Sequence, residues 1–245
     1  MSSLKMIKLA ISGALGKMGA RIIALASSDK DCQVVLALER KGHPQLGQIS
    51  CAGLKITDDT SQIKEADILI EFTTAEVTIQ HLEAVLKYKK PFVIGTTGLD
   101  EVQKKKIQEA SSKIPIVFSP NMSIGVNVLF GLVKEASRRL PKDYCINILE
   151  AHHVHKKDAP SGTAKKIIEI IQQESCQVKD VKSIREGEII GDHKVIFDGP
   201  FDRIELFHSA KTRDIFAQGA IVAAKWLVKK GPGFYSMHDV LGLKG

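Results

Sequence analysis

The chain has 245 residues, of which 44% are hydrophobic and 26% charged, as expected for one large or two smaller globular domains. The sequence has no apolar run near the roughly 20 residues that span a bilayer, and its first five residues lack a signal-peptide pattern, so a cytoplasmic protein without membrane contact is expected. The formal net charge of +7 fits nucleic-acid binding or attraction of small anions. Zinc-finger spacing and an aromatic RNA-binding signature are absent from the sequence, which leaves nucleic acid as the weaker alternative.

Short apolar segments alternate with segments of helical period in the first half of the chain. Strands are predicted at 6–12, 33–38, 68–72, 92–95 and 116–119, and helices at 17–27, 76–87 and 101–111. The alternation predicts an α/β fold, a doubly wound Rossmann-type parallel sheet with helices on both faces. Such sheets bind ligands outside the carboxyl ends of their strands.

A glycine-rich loop follows the first predicted strand and opens the first predicted helix. It reads Gly13-Ala14-Leu15-Gly16-Lys17-Met18-Gly19. Glycines permit a tight turn and let backbone amides approach a pyrophosphate, whose charge the helix N-terminus attracts. The spacing differs from the commoner Gly-x-Gly-x-x-Gly, but the context predicts a dinucleotide site, with a purely structural turn as the alternative.

An acid and a base stand side by side at the end of the second predicted strand. Glu39 lies about twenty residues past Gly19, where an acid normally bonds the adenosine ribose hydroxyls of NAD. Arg40 offers a guanidinium for the 2′-phosphate of NADP. The pair predicts that both NADH and NADPH are accepted, and an exposed surface pair is the alternative.

Two later loops follow the fourth and fifth predicted strands. They are Gly95-Thr96-Thr97-Gly98 and Ser119-Pro120-Asn121-Met122. Their hydroxyls, amide and backbone are predicted to line the nicotinamide ribose and carboxamide, and Phe72 to shield the ring from water. Each loop taken singly is more often just a turn, but with the glycine loop they predict one cofactor groove.

The pattern changes after Pro120. A helix is predicted at 126–140, a strand at 144–151, a helix at 161–173, several strands between 181 and 208, and a last helix at 216–228 that returns to the first domain. These segments predict a smaller α+β domain with a mixed or antiparallel sheet. A dinucleotide-binding domain is therefore expected at 1–123, completed by 214–245, and a substrate-binding and oligomerisation domain at 124–213.

A second chemical centre is the histidine-rich segment at 150–163. It reads Glu150-Ala151-His152-His153-Val154-His155-Lys156-Lys157-Asp158-Ala159-Pro160-Ser161-Gly162-Thr163. On a strand His152 would point away from His153 and His155, and the lysines would repel a cation, so no metal is predicted. The amides and hydroxyls that open the next helix, with the lysines before it, predict a site for a carboxylate. A capped helix after a basic loop is the alternative.

The histidine-rich segment resembles the signature of the 4-hydroxy-tetrahydrodipicolinate reductase (dihydrodipicolinate reductase) family, which acts in lysine and diaminopimelate biosynthesis. The resemblance runs the whole length of the chain. It also includes the loop at 13–19, Glu39-Arg40, Glu71-Phe72-Thr73, the loop at 95–98, and residues 121–127, 185–187 and 212–220.

The resemblance implies hydride transfer from NADH or NADPH to a small cyclic dicarboxylate. It implies that His152 is the catalytic proton donor and that Lys156 is the second catalytic group. Substrate-binding positions are His153, Lys156, Ser161, Gly162 and Thr163, and cofactor-binding positions are 13–18, Glu39, Arg40, Phe72, 95–97 and 119–122. A homotetramer built through the central sheet is expected. Two departures are Met122, where the family usually has Phe, and a chain shorter than that of many members.

Two other functions remain as alternatives, an aspartate-dehydrogenase-like enzyme and a nonenzymatic sensor that binds NAD or nucleic acid. Within the reductase hypothesis, Lys156, Lys157 and His153 are expected to disfavour the charged form of His152 in the free chain. A bound dianion would favour it. Substrate binding is therefore expected to take up a proton near neutral pH.

Overall fold

The computed structural model describes residues 6–243. The first five residues, on which the expectation about a signal peptide rests, lie outside this range. By internal contacts the chain divides into two compact units, Met1–Ser123 with Phe216–Gly245, and Ile124–Ile215. Within residues 6–243, every helix is too short or too polar to cross a membrane.

The helices and strands are numbered in chain order. The strands are β1 (Ile7–Ser12), β2 (Cys32–Leu38), β3 (Ile56–Thr57), β4 (Ile68–Glu71), β5 (Phe92–Ile94), β6 (Pro115–Phe118), β7 (Cys145–His152), β8 (Val178–Arg185), β9 (Asp192–Asp198), β10 (Arg203–Ser209) and β11 (Gly233–Tyr235). The α-helices are α1 (Lys17–Ser27), α2 (Ala75–Tyr88), α3 (Glu101–Ala110), α4 (Ile124–Arg139), α5 (Gly162–Gln173), α6 (Asp214–Leu227) and α7 (Met237–Val240), and a 3₁₀ helix spans Thr60–Glu65.

The first unit is built on a seven-stranded parallel sheet. Its strand order is β11-β6-β5-β4-β1-β2-β3. The chain runs outward from β1 to β2 on one side and resumes at β4 on the other, so the strand order reverses between β1 and β4. Ligands bind at such a switch point, outside the carboxyl ends of the strands.

The central strands are buried on both faces. Residues 9–11, 68–70 and 92–94 all have zero exposure, as continuous apolar runs in a helix-covered parallel sheet should. Among the described residues of these central strands, two polar side chains are fully buried, and both stand at strand ends: Ser12 of β1 and Glu71 of β4. The sheet therefore brings polar groups together at its carboxyl edge.

The second unit has a four-stranded mixed sheet in the order β10-β9-β7-β8. The strand β7 pairs parallel to β8 and antiparallel to β9. Apolar residues of α4 and α5 share one core cluster with Ile148, Val195 and Phe197 of the sheet. The predicted fold class, a Rossmann-type sheet plus a smaller α+β part with a mixed sheet, is confirmed.

The predicted segments are present with ends shifted by at most three residues. Sequence reasoning missed β3, β11, α7 and the 3₁₀ helix. The strands β3 and β11 have two and three residues, too few to display a period of two. They form because β2 and β6 offer free sheet edges for pairing.

Candidate active site

The glycine loop is a tight turn at the carboxyl end of β1. The amide of Gly13 donates to the carbonyl of Leu38 at 3.1 Å, and the amide of Gly16 donates to the carbonyl of Gly13 at 2.9 Å. Gly13 has φ +73°, a conformation that favours glycine. A Cβ atom on Gly19 would lie 2.0 Å from the carbonyl oxygen of Gly13. Helix α1 can pack this closely on the loop only without a side chain there.

Helix α1 begins at Lys17 with Gly16 as its N-cap. Gly16 has no side chain, so within the described residues no side-chain hydrogen bond from the N-cap satisfies the first amides of this helix. A helix N-terminus whose first amides point outward carries a partial positive charge that suits a phosphate. The cradle at 13–19 therefore fits the pyrophosphate of a dinucleotide.

Glu39 connects the glycine loop to the end of β2. The residue is 9% exposed, and Oε1 accepts from the amide of Leu15 at 2.8 Å while Oε2 accepts from the amide of Arg40 at 3.2 Å. Arg40 itself is exposed. The structure thus gives Glu39 a role in holding the loop, and leaves the Arg40 guanidinium open to a ligand.

Phe72 follows β4 and packs against the loop after β5. A Cβ atom on Gly95 would lie 2.2 Å from the Phe72 ring. Thr96 is buried, and its hydroxyl accepts from the amide of Thr73 at 3.2 Å. Thr97 is exposed, so of the two threonines it is the one that faces outward.

The loop after β6 is held from inside. Ser119 is buried and its hydroxyl donates to the carbonyl of Asn121 at 2.7 Å. Pro120 is exposed. The side chain of Met122 is 1% exposed, so it packs in the core of the first unit, and a Cβ atom on Gly219 would lie 1.7 Å from its carbonyl oxygen.

In the second unit, β7 presents Glu150 and His152 on one face, because side chains two apart in a strand point the same way. His152 Nδ1 is hydrogen bonded to Glu150 Oε2. Arg185, at the end of β8, places Nη2 2.8 Å from Glu150 Oε1. Glu150 has zero exposure and His152 is 8% exposed. The three side chains form a hydrogen-bonded chain in which Glu150 and His152 are buried and Arg185 is partly exposed.

The expected strand geometry of the histidines is wrong beyond His152. The strand β7 ends at that residue, and 154–155 form a turn. The reason is that the neighbouring strands stop there: β8 ends opposite His152 and β9 begins opposite Ala151. The rings of His153 and His155 lie 6.1 Å apart, and Arg213 Nη2 is 3.4 Å from His153 Nε2.

Lys156 lies in the loop that follows this turn. Its Nζ is 2.8 Å from Asp158 Oδ1. Arg185 Nη2 also donates to the carbonyl of Asp158 at 2.5 Å. The loop that carries Lys156 is therefore tied to the same guanidinium that holds Glu150.

Helix α5 begins at Gly162, after the cap residue Ser161. The Ser161 hydroxyl accepts from the amide of Ala164 at 3.2 Å, and the residue is 2% exposed. Gly162 is exposed and Thr163 half-buried. The Ser161 hydroxyl is thus used in a hydrogen bond inside the protein. Gly162 and Thr163 lie nearer the surface, at the N-terminus of the helix.

Burial lowers the pKa of His152 below its ordinary value. The Glu150 carboxylate opposes this effect, and the charges of Lys156 and Arg185 reinforce it. The direction matches the expectation, but burial rather than the expected Lys157 and His153 is the largest cause. Burial raises the pKa of Glu150, but hydrogen bonds led by that from Arg185 outweigh it, so the net shift is downward and the carboxylate stays charged.

Two family models match the chain end to end. Residues 7–122 match the model described as dihydrodipicolinate reductase, N-terminus, and residues 125–241 match the model described as dihydrodipicolinate reductase, C-terminus. The chain belongs to the dihydrodipicolinate reductase family. The boundary between the two matches coincides with the start of the second unit at Ile124, whereas residues 216–241 match the C-terminus model but belong to the first unit.

Relatives of this family are similar over their full length. A 4-hydroxy-tetrahydrodipicolinate reductase of Geotalea uraniireducens is 41% identical, covering 98% of this chain and 100% of its own. One of Burkholderia vietnamiensis is 43% identical, covering 97% and 100%. A dipicolinate-bound dihydrodipicolinate reductase from Paenisporosarcina sp. TG-14 has the same fold, with a TM-score of 0.81 and 21% identity over 94% of this chain and 97% of its own.

Sequence reasoning missed His193 of β9, which lies beside the proposed proton donor of this reductase-family chain. Its ring meets that of His152 edge to face with centroids 5.1 Å apart, and its Nε2 is 3.1 Å from the Ser161 hydroxyl. Burial lowers the pKa of His193 to about 4. The side chain is therefore a neutral neighbour at physiological pH.

A second missed group lies under the proposed cofactor loops of this reductase-family chain. His81 Nδ1 is 2.6 Å from Glu71 Oε2 and 3.1 Å from the Ser12 hydroxyl, and the Thr73 hydroxyl donates to Glu71 Oε1. Glu71 is fully buried and His81 is 4% exposed. The sequence signal was an acid at the end of an otherwise apolar strand.

Within the described part of the chain, Glu150, His152 and His193 offer ligand atoms within 4.8 Å of one another, as metal sites do. The Arg185 guanidinium already faces the Glu150 carboxylate, and the other carboxylate oxygen is bonded to His152 Nδ1. A cation there would have to displace both partners. The donor set therefore fits a hydrogen-bonded network better than a metal centre.

Proposed function

We propose that this chain catalyses the nicotinamide-dependent reduction of 4-hydroxy-tetrahydrodipicolinate to tetrahydrodipicolinate, in lysine and diaminopimelate biosynthesis. The observation that carries the proposal is the full-length similarity to relatives that bear this name. The hydrogen-bonded chain through Glu150, His152 and Arg185 supports it, because it provides a positioned acid next to a basic loop.

The first unit is assigned to cofactor binding. Residues 13–18 would hold the pyrophosphate, Glu39 and Arg40 the adenosine ribose end, and Phe72, 95–97 and 119–122 the nicotinamide end. The bound nicotinamide would supply a hydride. The chain itself provides the amides at the start of α1, and it provides the Phe72 ring, which can approach the backbone closely because Gly95 has no side chain.

The second unit is assigned to substrate binding. Lys156 with the start of α5 at 162–163 would hold a carboxylate, since an ammonium group and helix amides both favour an anion. His153 stands in the turn beside them. The relative from Paenisporosarcina binds dipicolinate, a planar ring with two carboxylates, and a ligand of this class suits such a basic loop.

The proposed chemical role of His152 is to protonate the carbon that becomes nucleophilic when the ring accepts a hydride. Lys156 stabilises the negative charge that develops on the substrate. Asp158 holds the Lys156 ammonium in the free chain, so substrate binding has to exchange that partner for a carboxylate.

A spectrophotometric assay tests the proposed function. Oxidation of NADH and NADPH is followed by absorbance, and the reaction is started with freshly generated substrate. Absorbance loss that depends on both substrate and chain supports the proposal. A loss of absorbance that does not depend on the substrate, or no loss of absorbance at all, refutes the proposal.

Arg40 is expected to select for NADPH without excluding NADH. Arg40→Ala should raise KM for NADPH about tenfold or more, because a charge-assisted contact to the 2′-phosphate is worth roughly 1.4 kcal/mol or more. KM for NADH should change less than about twofold. The neighbouring exposed lysine gives the matched control Lys41→Ala. Equal losses for both cofactors in Arg40→Ala would contradict the role.

Binding of a dicarboxylate is expected to take up a proton near pH 7. The pKa of His152 is lowered in the free chain, so the ring is neutral there, and a bound dianion raises the pKa and protonates it. Titration calorimetry with dipicolinate in phosphate and Tris buffers measures the uptake, since heats differ by the buffers' ionisation enthalpies. Identical heats in both buffers would contradict it, and His152→Gln should abolish the difference.

Assembly and location follow from the family resemblance alone. We propose a cytoplasmic homotetramer built through the four-stranded sheet of the second unit. Light scattering on the purified chain tests the assembly, and a mass equal to that of one protomer would refute it.

A further inference from the structure

Glu150 is a charged side chain with no exposure in the middle of the second unit. A buried carboxylate is costly unless every lone pair is used. Here Oε2 faces His152 Nδ1, Oε1 faces Arg185 Nη2 at 2.8 Å, and the amide of Ser161 lies 3.4 Å from Oε1. Such a group persists where it does something that an apolar residue cannot.

We propose that Glu150 is the positioning residue of His152, and that Arg185 is the clamp that holds Glu150 in place for this task. The inference rests on the proposed reductase function, in which His152 is the proton donor. It assigns roles to two residues that do not themselves contact the substrate.

The bond to Glu150 selects the tautomer of His152. A carboxylate can only accept, so the hydrogen in its bond to His152 lies on Nδ1. The proton that is given to the substrate therefore sits on Nε2 of the charged ring, and the ring left after transfer keeps its hydrogen on Nδ1, toward Glu150. Without the carboxylate the neutral ring can also adopt the tautomer with its hydrogen on Nε2, which has no lone pair on that atom to take up the next proton.

The backbone of Gly191 lies next to Nε2, the atom that would donate the proton. A Cβ atom on Gly191 would lie 3.1 Å from His152 Nε2 and 3.7 Å from His193 Cε1. The bare backbone of Gly191 thus passes close to the donating atom, and a side chain at this position would crowd it. The hydrogen bond at Nδ1 fixes the ring in the orientation that keeps Nε2 beside this backbone.

Arg185 holds Glu150 in place and also contacts the loop that carries Lys156. The Arg185 guanidinium bonds Glu150 on one side and the carbonyl of Asp158 on the other, at 2.8 and 2.5 Å. Asp158 in turn pairs with Lys156. One guanidinium therefore fixes the donor's carboxylate and the loop that carries the second catalytic group.

The groups that face His152 come from four elements. Glu150 on β7 favours its charged form, while Arg185 on β8 and Lys156 in the loop disfavour it, and His193 on β9 is neutral near pH 7. Glu150 is the negative charge in this set. Removing it should make the imidazolium harder to form.

The experiment compares Glu150→Gln with the wild type and with Glu188→Gln, an exposed control. Glu150→Gln should lower kcat about 10²-fold or more, with KM within about threefold, because tautomer and orientation act on the transition state. The alkaline limb of the kcat profile should move to lower pH. Glu150→Asp should recover part of kcat. Thermal melting shows whether each variant is folded.

A readout that needs no turnover keeps the inference separate from the proposed function. In ¹⁵N spectra, the neutral His152 ring of the wild type should be protonated at Nδ1. In Glu150→Gln the ring should be a mixture of the two neutral tautomers or be protonated at Nε2. Arg185→Gln should lower kcat and shift the tautomer signals in the same directions as Glu150→Gln does. An inactive wild type would refute the reductase proposal, whereas an active wild type with unchanged kcat, pH profile and spectrum in Glu150→Gln would overturn the inference alone.

Discussion

Replacing His152 by glutamine is expected to lower kcat about 10² to 10⁴-fold, the range that a positioned general acid contributes. Glutamine keeps the polarity and much of the volume of the side chain but has no proton to transfer at neutral pH. KM for the dicarboxylate should change less than about tenfold, since the loss falls on the transition state. Steady-state kinetics with saturating NADH or NADPH measures both constants.

The matched control for this prediction is His155→Gln. His155 lies in the same segment, three residues along, and is exposed. It should retain kcat within about twofold, as surface substitutions usually do. A His152→Gln enzyme with wild-type kcat would contradict the proton-donor role, and an equal loss in His155→Gln would show that the segment is perturbed as a whole.

The second large effect is expected for Gly19→Ala. The added methyl group would lie 2.0 Å from the carbonyl oxygen and 2.6 Å from the carbonyl carbon of Gly13, and backbone cannot yield as a flexible side chain does. The loop and α1 must separate, which moves the amides that would face the pyrophosphate. KM for NADH and NADPH should rise at least about tenfold together, and overpacking should cost about 1–3 kcal/mol of stability.

The control is Gly231→Ala, a glycine of the same unit. Among the described residues, nothing lies within 4 Å of its Cβ position. The Gly231→Ala variant should bind NADH and NADPH with the same affinity as the wild type. Quenching of protein fluorescence by NADH gives the dissociation constants without turnover. Wild-type affinity in a folded Gly19→Ala variant would mean that the glycine loop does not hold the cofactor.

The parts of the fold that sequence predicted well are those with a strong local signal. The glycine loop stands between an apolar strand and an amphipathic helix, so its place at 13–19 followed from chain order. The helix at 17–27 matches in both bounds. The strands β3 and β11 were missed because their formation depends on an open sheet edge and not on their own residues.

The active site was predicted in part, for the same reason. His152 and Lys156 stand in a segment with a recognisable signature, but Arg185 and His193 reach them from other strands. Strand pairing decides that contact, as in the register of His152 opposite Arg185. The pairing also ends there, which is why the histidines after it form a turn and not a strand. Glu150 had a readable signal, its place two residues before His152 on one strand face.

The most direct measurement of the central claim follows a label from cofactor to product. The chain is supplied with NADH or NADPH that carries deuterium at the transferable position of the nicotinamide, together with freshly generated 4-hydroxy-tetrahydrodipicolinate, and the product is identified by mass spectrometry. The expected product is tetrahydrodipicolinate that has gained one deuterium, with very little of it formed by the His152→Gln variant. Product without deuterium, or a dehydrated but unreduced ring, would contradict it.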